Sequence, residues 1–369
     1  MGKTPALAVP DPADAAQFEA WVKDAGWKVI APAANAPQNI DQRVLALALA
    51  VKQAIQAGEV DADRVYVAGR GATTAAMFYT VSRMPDLWAA GIGLGGGPHD
   101  AIDTGRLFAA NFTNTPVLWV TANEGDETEA NKLRDAGMNL EWRSTKGLAD
   151  AAILQWLGQR VRTSFPAAVD CETNSPTFAS CYWLEPVKFD VGETNDVLPS
   201  SRVLGGSGAS LDLGGFGYKA DDPGPGITVT YLPEKYSGPL KMGDRITEMD
   251  GKPIENARQF GETLNKVKEE KQVVIMVERG RQRNRMETRI VLPRKDKAGP
   301  TARVQGKYEA GDKQLLIASR SVTQMRVTVP EQWVGAGLFW NGLSLERIDR
   351  AGCVLLTIEK ELLHAAACK

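Results

Sequence analysis

The chain has 369 residues, of which 43% are hydrophobic and 24% charged, and a formal net charge of −2. This is the composition of a globular protein with room for two or three ordinary cores, and the near-neutral balance gives no electrostatic case for nucleic acid or an anionic membrane. No apolar run approaches the roughly 20 residues of a membrane span, and the opening MGKTPALAV lacks the basic start and long apolar core of a signal peptide.

The first third alternates strand and helix. PALAVP (5–10) predicts a short apolar strand, and 11–26 a helix with an acidic, proline-containing start. Further strands are expected at 27–33, 64–69, 89–96, 115–123 and 140–145, and helices at 39–58, 72–85, 126–137 and 148–161, with room for a short helix between 96 and 115. Buried apolar runs interleaved with amphipathic helices predict a parallel sheet covered on both faces.

After about residue 165 the texture changes to proline, aromatics and alternating strands, CETNSPTFASCYWLEPVKFD, followed by the Gly/Ser-rich linker PSSRVLGGSGAS. Residues 211–295 read as a compact unit ending in a hairpin around ERGRQRNR. From Thr301 onward strands return, at KQLLIAS, QMRVTV, GAGLFWNGLSLERI with its Asn341-Gly342 turn, and CVLLTIE. The expected organisation is an α/β domain at 1–163, an all-β accessory domain from 164–205 and 300–369, and an inserted domain at 206–297. Simple tandem order is the alternative.

The four cysteines, Cys171, Cys181, Cys353 and Cys368, show no CxxC spacing, and only two histidines exist, so neither a metal nor a cofactor is expected. Cys171 and Cys181 flank a strand–turn–strand pattern that allows a cross-strand disulfide. Three pairings exist, and four reduced thiols remain the alternative. Outside the cytoplasm, Cys171–Cys181 and Cys353–Cys368 are preferred because local loops close with little entropy. An extracytoplasmic location is the expectation.

DADRVYVAGRGATTAAMFYTVSRMPDLWAAGIGLGGG and FTNTPVLWVTANEGDETEANKLRDAG resemble the nucleophile strand, elbow, helix and acid-bearing loop of an α/β-hydrolase of the secreted esterase and peptidase type. The resemblance covers nearly all of 1–162, without the family's first strands. Such a hydrolase requires an elbow serine, a histidine base and an oxyanion hole. The elbow position holds Gly71, and the family's histidine position falls at Lys146 and Gly147. The oxyanion loop is Pro10-Asp11-Pro12, and only the acid position survives, as Asp126 or its neighbour Glu124. His99 follows the strand after the elbow, and His364 lies in the tail. Thr73 or Thr74, with Lys146 as base, is the rescue reading. Against it, the threonines start a helix, Lys146 is solvated, His99 is a bystander and Asp126 begins a helix. The helix after Gly71 still offers N–H groups to a small anion or carboxylate.

The stretch from Leu213 to Gly280 resembles a PDZ domain. Gly215-Phe216-Gly217-Tyr218 matches the carboxylate-binding loop, GPLKMGDRITEMDGKPI the second hallmark, and ARQFGETLNKV the helix walling the groove. The resemblance implies a peptide terminus added as a strand beside Tyr218, its side chains read by Ala257, Phe260 and Leu264. Pro223 and Pro225 in KADDPGPG interrupt the edge strand there, and a packing spacer is the alternative role. The arginine-rich hairpin reads as solvated rather than as a nucleic-acid patch.

Two functions follow. One is a non-catalytic scaffolding or binding protein that takes a peptide or protein C-terminus, with no nucleic acid and no membrane span. The other is an esterase or peptidase with a relocated catalytic set.

Overall fold

Short runs of small and β-branched residues build the strands of a six-stranded parallel sheet in the computed structural model, which describes residues 3–33, 39–203, 209–219, 222–232, 236–267, 269–292, 299–345 and 347–368. In chain order the elements are β1 (Thr4–Ala8), α1 (Ala15–Val22), β2 (Lys28–Ile30), α2 (Ile40–Gln56), β3 (Val60–Arg70), α3 (Thr74–Arg83), β4 (Ala90–Leu94), α4 (His99–Asp103), β5 (Val117–Thr121), α5 (Asp126–Asp135), β6 (Leu140–Ser144) and α6 (Asp150–Gly158). The strand order is β2-β1-β3-β4-β5-β6, and every pair is parallel. The period-two alternation of each strand feeds two cores. Leu7, Tyr66, Ile92, Leu118 and Val120 meet α1 and α6 through Phe18, Ile153 and Trp156. Val65, Val67 and Trp119 meet α2 and α3 through Leu47, Val51 and Phe78 on the other face.

The chain continues as β7 (Ala168–Thr173) and β8 (Leu184–Phe189). Next come β9 (Ser210–Leu211), β10 (Gly217–Tyr218), β11 (Ile227–Tyr231), β12 (Arg245–Met249), β13 (Lys252–Pro253), α7 (Ala257–Asn265), β14 (Lys271–Arg279) and β15 (Gln282–Val291). The last strands are β16 (Ala302–Glu309), β17 (Gln314–Arg320), β18 (Val322–Val329), β19 (Gly337–Trp340), β20 (Leu343–Leu345), β21 (Gly352–Glu359) and β22 (Leu362–Ala367). By contacts the chain divides into two units, Met1–Leu204 with Ala298–Lys369, and Gly205–Lys297.

In the first unit, strands from before and after the second unit pair with each other. One sheet runs β20-β19-β17-β16-β7, with β17 and β19 parallel, and an antiparallel sheet runs β22-β21-β18-β8. The two sheets share a core around Trp183, Trp333 and Trp340. A Cβ on Gly306 of β16 would overlap the Trp183 ring; the bare backbone lets the indole lie against it. Cys171–Cys181 and Cys353–Cys368 form disulfides, with Cα separations of 6.0 and 5.5 Å, as preferred from sequence. β16 and β22 are strands that the sequence reading does not anticipate.

Glu172 of β7, its side chain fully buried, holds the points where the chain leaves for the second unit and returns from it. Its carboxylate accepts hydrogen bonds from Ser200 Oγ (2.6 Å), Ser201 Oγ (2.7 Å), Thr301 Oγ1 and Arg320 (2.9 Å). Burial pushes its pKa up, but the hydrogen bonds from Ser200, Thr301 and Ser201 outweigh that and hold it below the usual glutamate range. A second buried contact joins the sandwich to the parallel sheet. The Arg83 guanidinium lies 3.9 Å from the Phe178 ring centroid, pairs with Asp41 at 3.3 Å and donates to Asn174 at 2.8 Å.

The second unit is an antiparallel sheet in the order β10-β11-β12-β14-β15-β9, with β13 beside β12. α7 packs on it through Ala257, Phe260 and Leu264. The hairpin arginines are largely neutralised locally: Arg279 pairs with Asp244, Arg283 with Glu248, Arg285 with Glu287 and Arg289 with Asp212. Parts of the linker (204–208), of KADDPGPG (220–221) and of the basic stretch after the hairpin (293–298) lie outside the described residues. Among the described residues, no helix is long and apolar enough to cross a membrane, and no group of three or more His, Cys, Asp or Glu gathers as metal ligands.

Candidate functional site

In an open parallel sheet, ligands bind beyond the carboxyl ends of the strands where the strand order reverses. Here that place lies between β1 and β3, and the turn after β3 carries Gly71. Its φ is +56°, a left-handed conformation that suits glycine and strains other residues. The turn is packed from the next strand: a Cβ on Gly96 would overlap the Gly71 carbonyl oxygen. The backbone therefore makes a sharp strand-to-helix elbow, and the residue at its tip offers no side-chain oxygen.

The two following hydroxyls are already engaged. Thr73 Oγ1 donates to Asp14 Oδ2 at 2.6 Å and accepts the Arg70 N–H at 2.8 Å. Thr74, fully buried, donates to the Gly95 carbonyl. The Asp14–Thr73 bond ties the segment after β1 to the elbow across the switch point, and Arg43 reaches Asp11 at 3.6 Å on the same side. The Arg70 guanidinium stacks 5.7 Å from the Phe18 ring centroid. Side chains of the protein itself thus bridge the crevice.

Asp126 is the first residue of α5 and accepts from Asn123 Nδ2 at 2.8 Å; its carboxylate favours the positive end of the helix dipole. Gly147, with φ +75°, sits beside Lys146 in an exposed turn between β6 and α6. Glu124 lies exposed in the turn just before α5, and His364 is in β22 of the sandwich. One residue acquires a partner that its local sequence does not announce. His99 Nε2 lies 3.1 Å from Glu129 Oε2 of α5. That hydrogen bond raises the imidazole pKa against the opposing effect of burial. The pair stands near the elbow: Trp119 Nε1 donates to the Gly96 carbonyl at 2.9 Å, and a Cβ at Gly97 would lie 3.6 Å from the His99 ring. Two acidic residues one turn apart, Glu129 after Asp126, are the only local signal that α5 could present a carboxylate to this edge.

The second unit presents a different surface. Gly214 and Gly215 both have φ near +80°, turning the chain from β9 into β10, which is a sheet edge among the described residues. Tyr236 braces this turn, donating its hydroxyl hydrogen to the Leu213 carbonyl at 2.6 Å. β10 faces α7 across aromatic rings: Tyr218 meets Phe260 edge-on at 5.7 Å, and Phe216 lies 6.1 Å from Tyr218. Burial pushes the Tyr218 hydroxyl pKa up. Of the residues singled out from sequence at 215–218, Tyr218 is brought beside Phe260 and Phe216 beside Tyr218, while Ala257 and Leu264 lie in the same core.

No family model and no curated protein matches the chain. Among solved structures it is similar to a thermostable esterase, at 13% identity and a TM-score of 0.32 over 43% of this chain and 56% of that one. It is also similar to a point variant of SOBER1 from Arabidopsis thaliana, at 16% identity and a TM-score of 0.32 over 43% of this chain and 99% of that one. A third, esterase PE8, matches at 15% identity and a TM-score of 0.30 over 42% of this chain and 91% of that one. The chain thus spans little more than half of the first structure.

Proposed function

We propose that this is a binding protein in which an α/β-hydrolase-like layer has lost serine-hydrolase chemistry and a PDZ-type unit takes peptide or protein C-termini. The proposed domains are 1–163, 164–205 with 300–369, and 206–297. One observation carries the binding function: an edge strand emerges from a left-handed Gly214-Gly215 turn and faces α7 across Phe216, Tyr218 and Phe260. Such an edge offers main-chain pairing to an extended peptide, and the glycine turn lets a terminal carboxylate approach backbone donors.

The loss of catalysis is supported by the elbow. Acyl transfer through this fold needs a hydroxyl at the tip and a base beside it, whereas Gly71 has no side chain and Thr73 and Thr74 donate elsewhere. Two disulfides favour an oxidising, extracytoplasmic location. The test is paired. A C-terminal peptide library should bind in free-acid form and lose binding when amidated, and fluorophosphonate probes should leave the protein unlabelled. Gly71→Ser alone should stay inactive toward acyl esters. Equal binding of free and amidated peptides refutes the binding half; stoichiometric labelling in 1–163 refutes the other.

A second reading, an esterase or peptidase with a relocated catalytic set, has one observation in its favour: the His99–Glu129 pair beside the elbow. It requires ester hydrolysis that His99→Gln abolishes.

A further inference from the structure

We propose that the outer face of the β20-β19-β17-β16-β7 sheet carries a site for an uncharged pyranose sugar, a unit of a neutral glycan. The site lies wholly in the first unit and is independent of the peptide-binding reading.

Strand alternation sorts this sheet into two faces. Val169, Val304, Leu315, Ile317, Leu338 and Trp340 enter the sandwich core, so Asp170, Gln305, Leu316, Ala318 and Phe339 face the other way. Leu198 and Pro199 lie over one end of that outer face, their carbonyls accepting from Arg320 at 2.7 Å and Arg303 at 2.5 Å. Beyond them is a hollow of about 470 Å³, within the range of ligand pockets.

Register and side-chain size make the hollow. Ala168, Lys307, Leu316 and Phe339 form one row across the strands, and Asp170, Gln305 and Ala318 form the next. The short side chains of Ala168 and Ala318 leave the space. Phe339 is exposed on the β19 side. Thr113 lines the other side, where its neighbour Asn114 donates from Nδ2 to the Ala168 carbonyl at 2.9 Å.

The lining selects among ligands. Lys307 pairs with Glu309 at 2.5 Å and Asp170 with Arg303 at 2.6 Å, so a ligand of either charge meets both signs and gains no net attraction. Leu316, Ala318 and Phe339 give an apolar surface, and the negative face of the aromatic ring attracts C–H groups. Gln305 donates one amide N–H to Asp170 at 2.8 Å, which leaves its oxygen and second N–H for a ligand. Thr113 Oγ1 donates to the Ala110 carbonyl at 2.8 Å and keeps its capacity to accept. A purely apolar ligand would strand these groups away from water. A pyranose meets both demands: its C–H face lies on Leu316 and Phe339, and its hydroxyls reach Gln305, Lys307 and Thr113.

The test is calorimetric titration of the full chain with cellotetraose, mannotetraose, xylotetraose, chitotetraose and maltotetraose. At least one should bind with a dissociation constant of about 1 mM or tighter, and anionic tetragalacturonate about tenfold more weakly. Phe339→Ala should weaken the sugar about tenfold and Gln305→Ala about fivefold. Ala318→Phe fills the hollow without removing a contact group and should abolish binding. In the wild type, sugar-induced shifts of the Leu316 and Ala318 methyl resonances locate the site even if a variant fails to fold. Three results overturn the proposal: no tetraose bound at about 10 mM, sugar binding that leaves those methyls unmoved, or tighter binding of tetragalacturonate.

Discussion

The turns at Gly71 and at Gly214-Gly215 use the same backbone freedom and reach opposite ends. In the parallel sheet, the hydroxyls at the left-handed elbow are already engaged: Thr73 holds Asp14 and Thr74 holds the Gly95 carbonyl, while the Arg70 guanidinium lies over the Phe18 ring with its buried Nε unpartnered. In the second unit, the glycine turn leads into β10, a sheet edge among the described residues, where the Tyr218 ring meets Phe260 edge-on. A strained turn marks a place where function can sit; whether it does depends on whether neighbouring polar groups are already paired.

The comparison assumes that the first unit is a rigid frame, and the largest expected effect tests that assumption. Glu172→Ala leaves Arg320 and three hydroxyl donors around a missing carboxylate, and breaking a buried charge pair this way costs about 3–5 kcal/mol. Urea unfolding should record the loss in the first unit, with peptide binding by the second retained at low denaturant. The pH dependence has a definite sign. Glu172 is depressed in the fold, so its contribution is fully present above the ordinary glutamate value of about 4.3 and is lost as pH falls through the lower folded pKa. The variant should lack that acid-side slope.

Next in size is Thr73→Val, which keeps the shape of the side chain but removes the acceptor of the Arg70 N–H and the donor to Asp14. A destabilisation of about 1–3 kcal/mol is expected from the stranded polar groups, with no change in reactivity toward acyl esters. Ester hydrolysis that disappears with this hydroxyl would make Thr73 a nucleophile and break the contrast between the two turns.

Gly217→Val sharpens the other side of the contrast. A Cβ there would stand 3.0 Å from Tyr231 Cβ, crowding β10 where the proposed peptide carboxylate would approach. Peptide affinity should fall by about tenfold or more, while circular dichroism of the whole chain stays unchanged. Unaltered affinity would move the binding surface away from this turn.

How much of this was legible in sequence varies with the range of the interaction. The parallel sheet is readable because runs such as RVYVAG and TPVLWVTAN are short, apolar and separated by amphipathic helices. β22 is not: LLHAAA lacks β-branched residues and is held by pairing with β21 and by the Cys353–Cys368 bond. β16 hides behind Gly306, whose missing side chain looks like a strand breaker until Trp183 is seen against it. At the elbow the sequence shows a glycine where a hydrolase resemblance calls for a serine, but not Asp14 on Thr73, which are 59 positions apart and meet only because β1 and β3 are neighbours. In KADDPGPG the prolines announce an interrupted edge, whereas the Asp222 carbonyl on the start of α7 depends on the tertiary fold.

The smallest expected effect concerns the His99–Glu129 pair, and it probes whether anything chemical survives beside the elbow. The Glu129 carboxylate, with Asp103 and Asp126 nearby, raises the His99 pKa above the ordinary value of about 6.5. A raised folded pKa means that the pair's contribution is complete below that ordinary value and is lost as pH rises through the folded one. Because the His99 side chain is 72% exposed, solvent screening keeps the contribution below about 1 kcal/mol. Glu129→Gln should lower the His99 pKa read from its imidazole proton shifts and flatten the stability slope that begins at the ordinary histidine value of about 6.5. The chain has only two histidines, so His364→Gln assigns the resonances without ambiguity. A titration unmoved by Glu129→Gln would remove the pair as an electrostatic unit. Ester hydrolysis that rises as His99 deprotonates would instead make the imidazole a working base, and the crevice at Gly71 would then be an active site rather than a closed one.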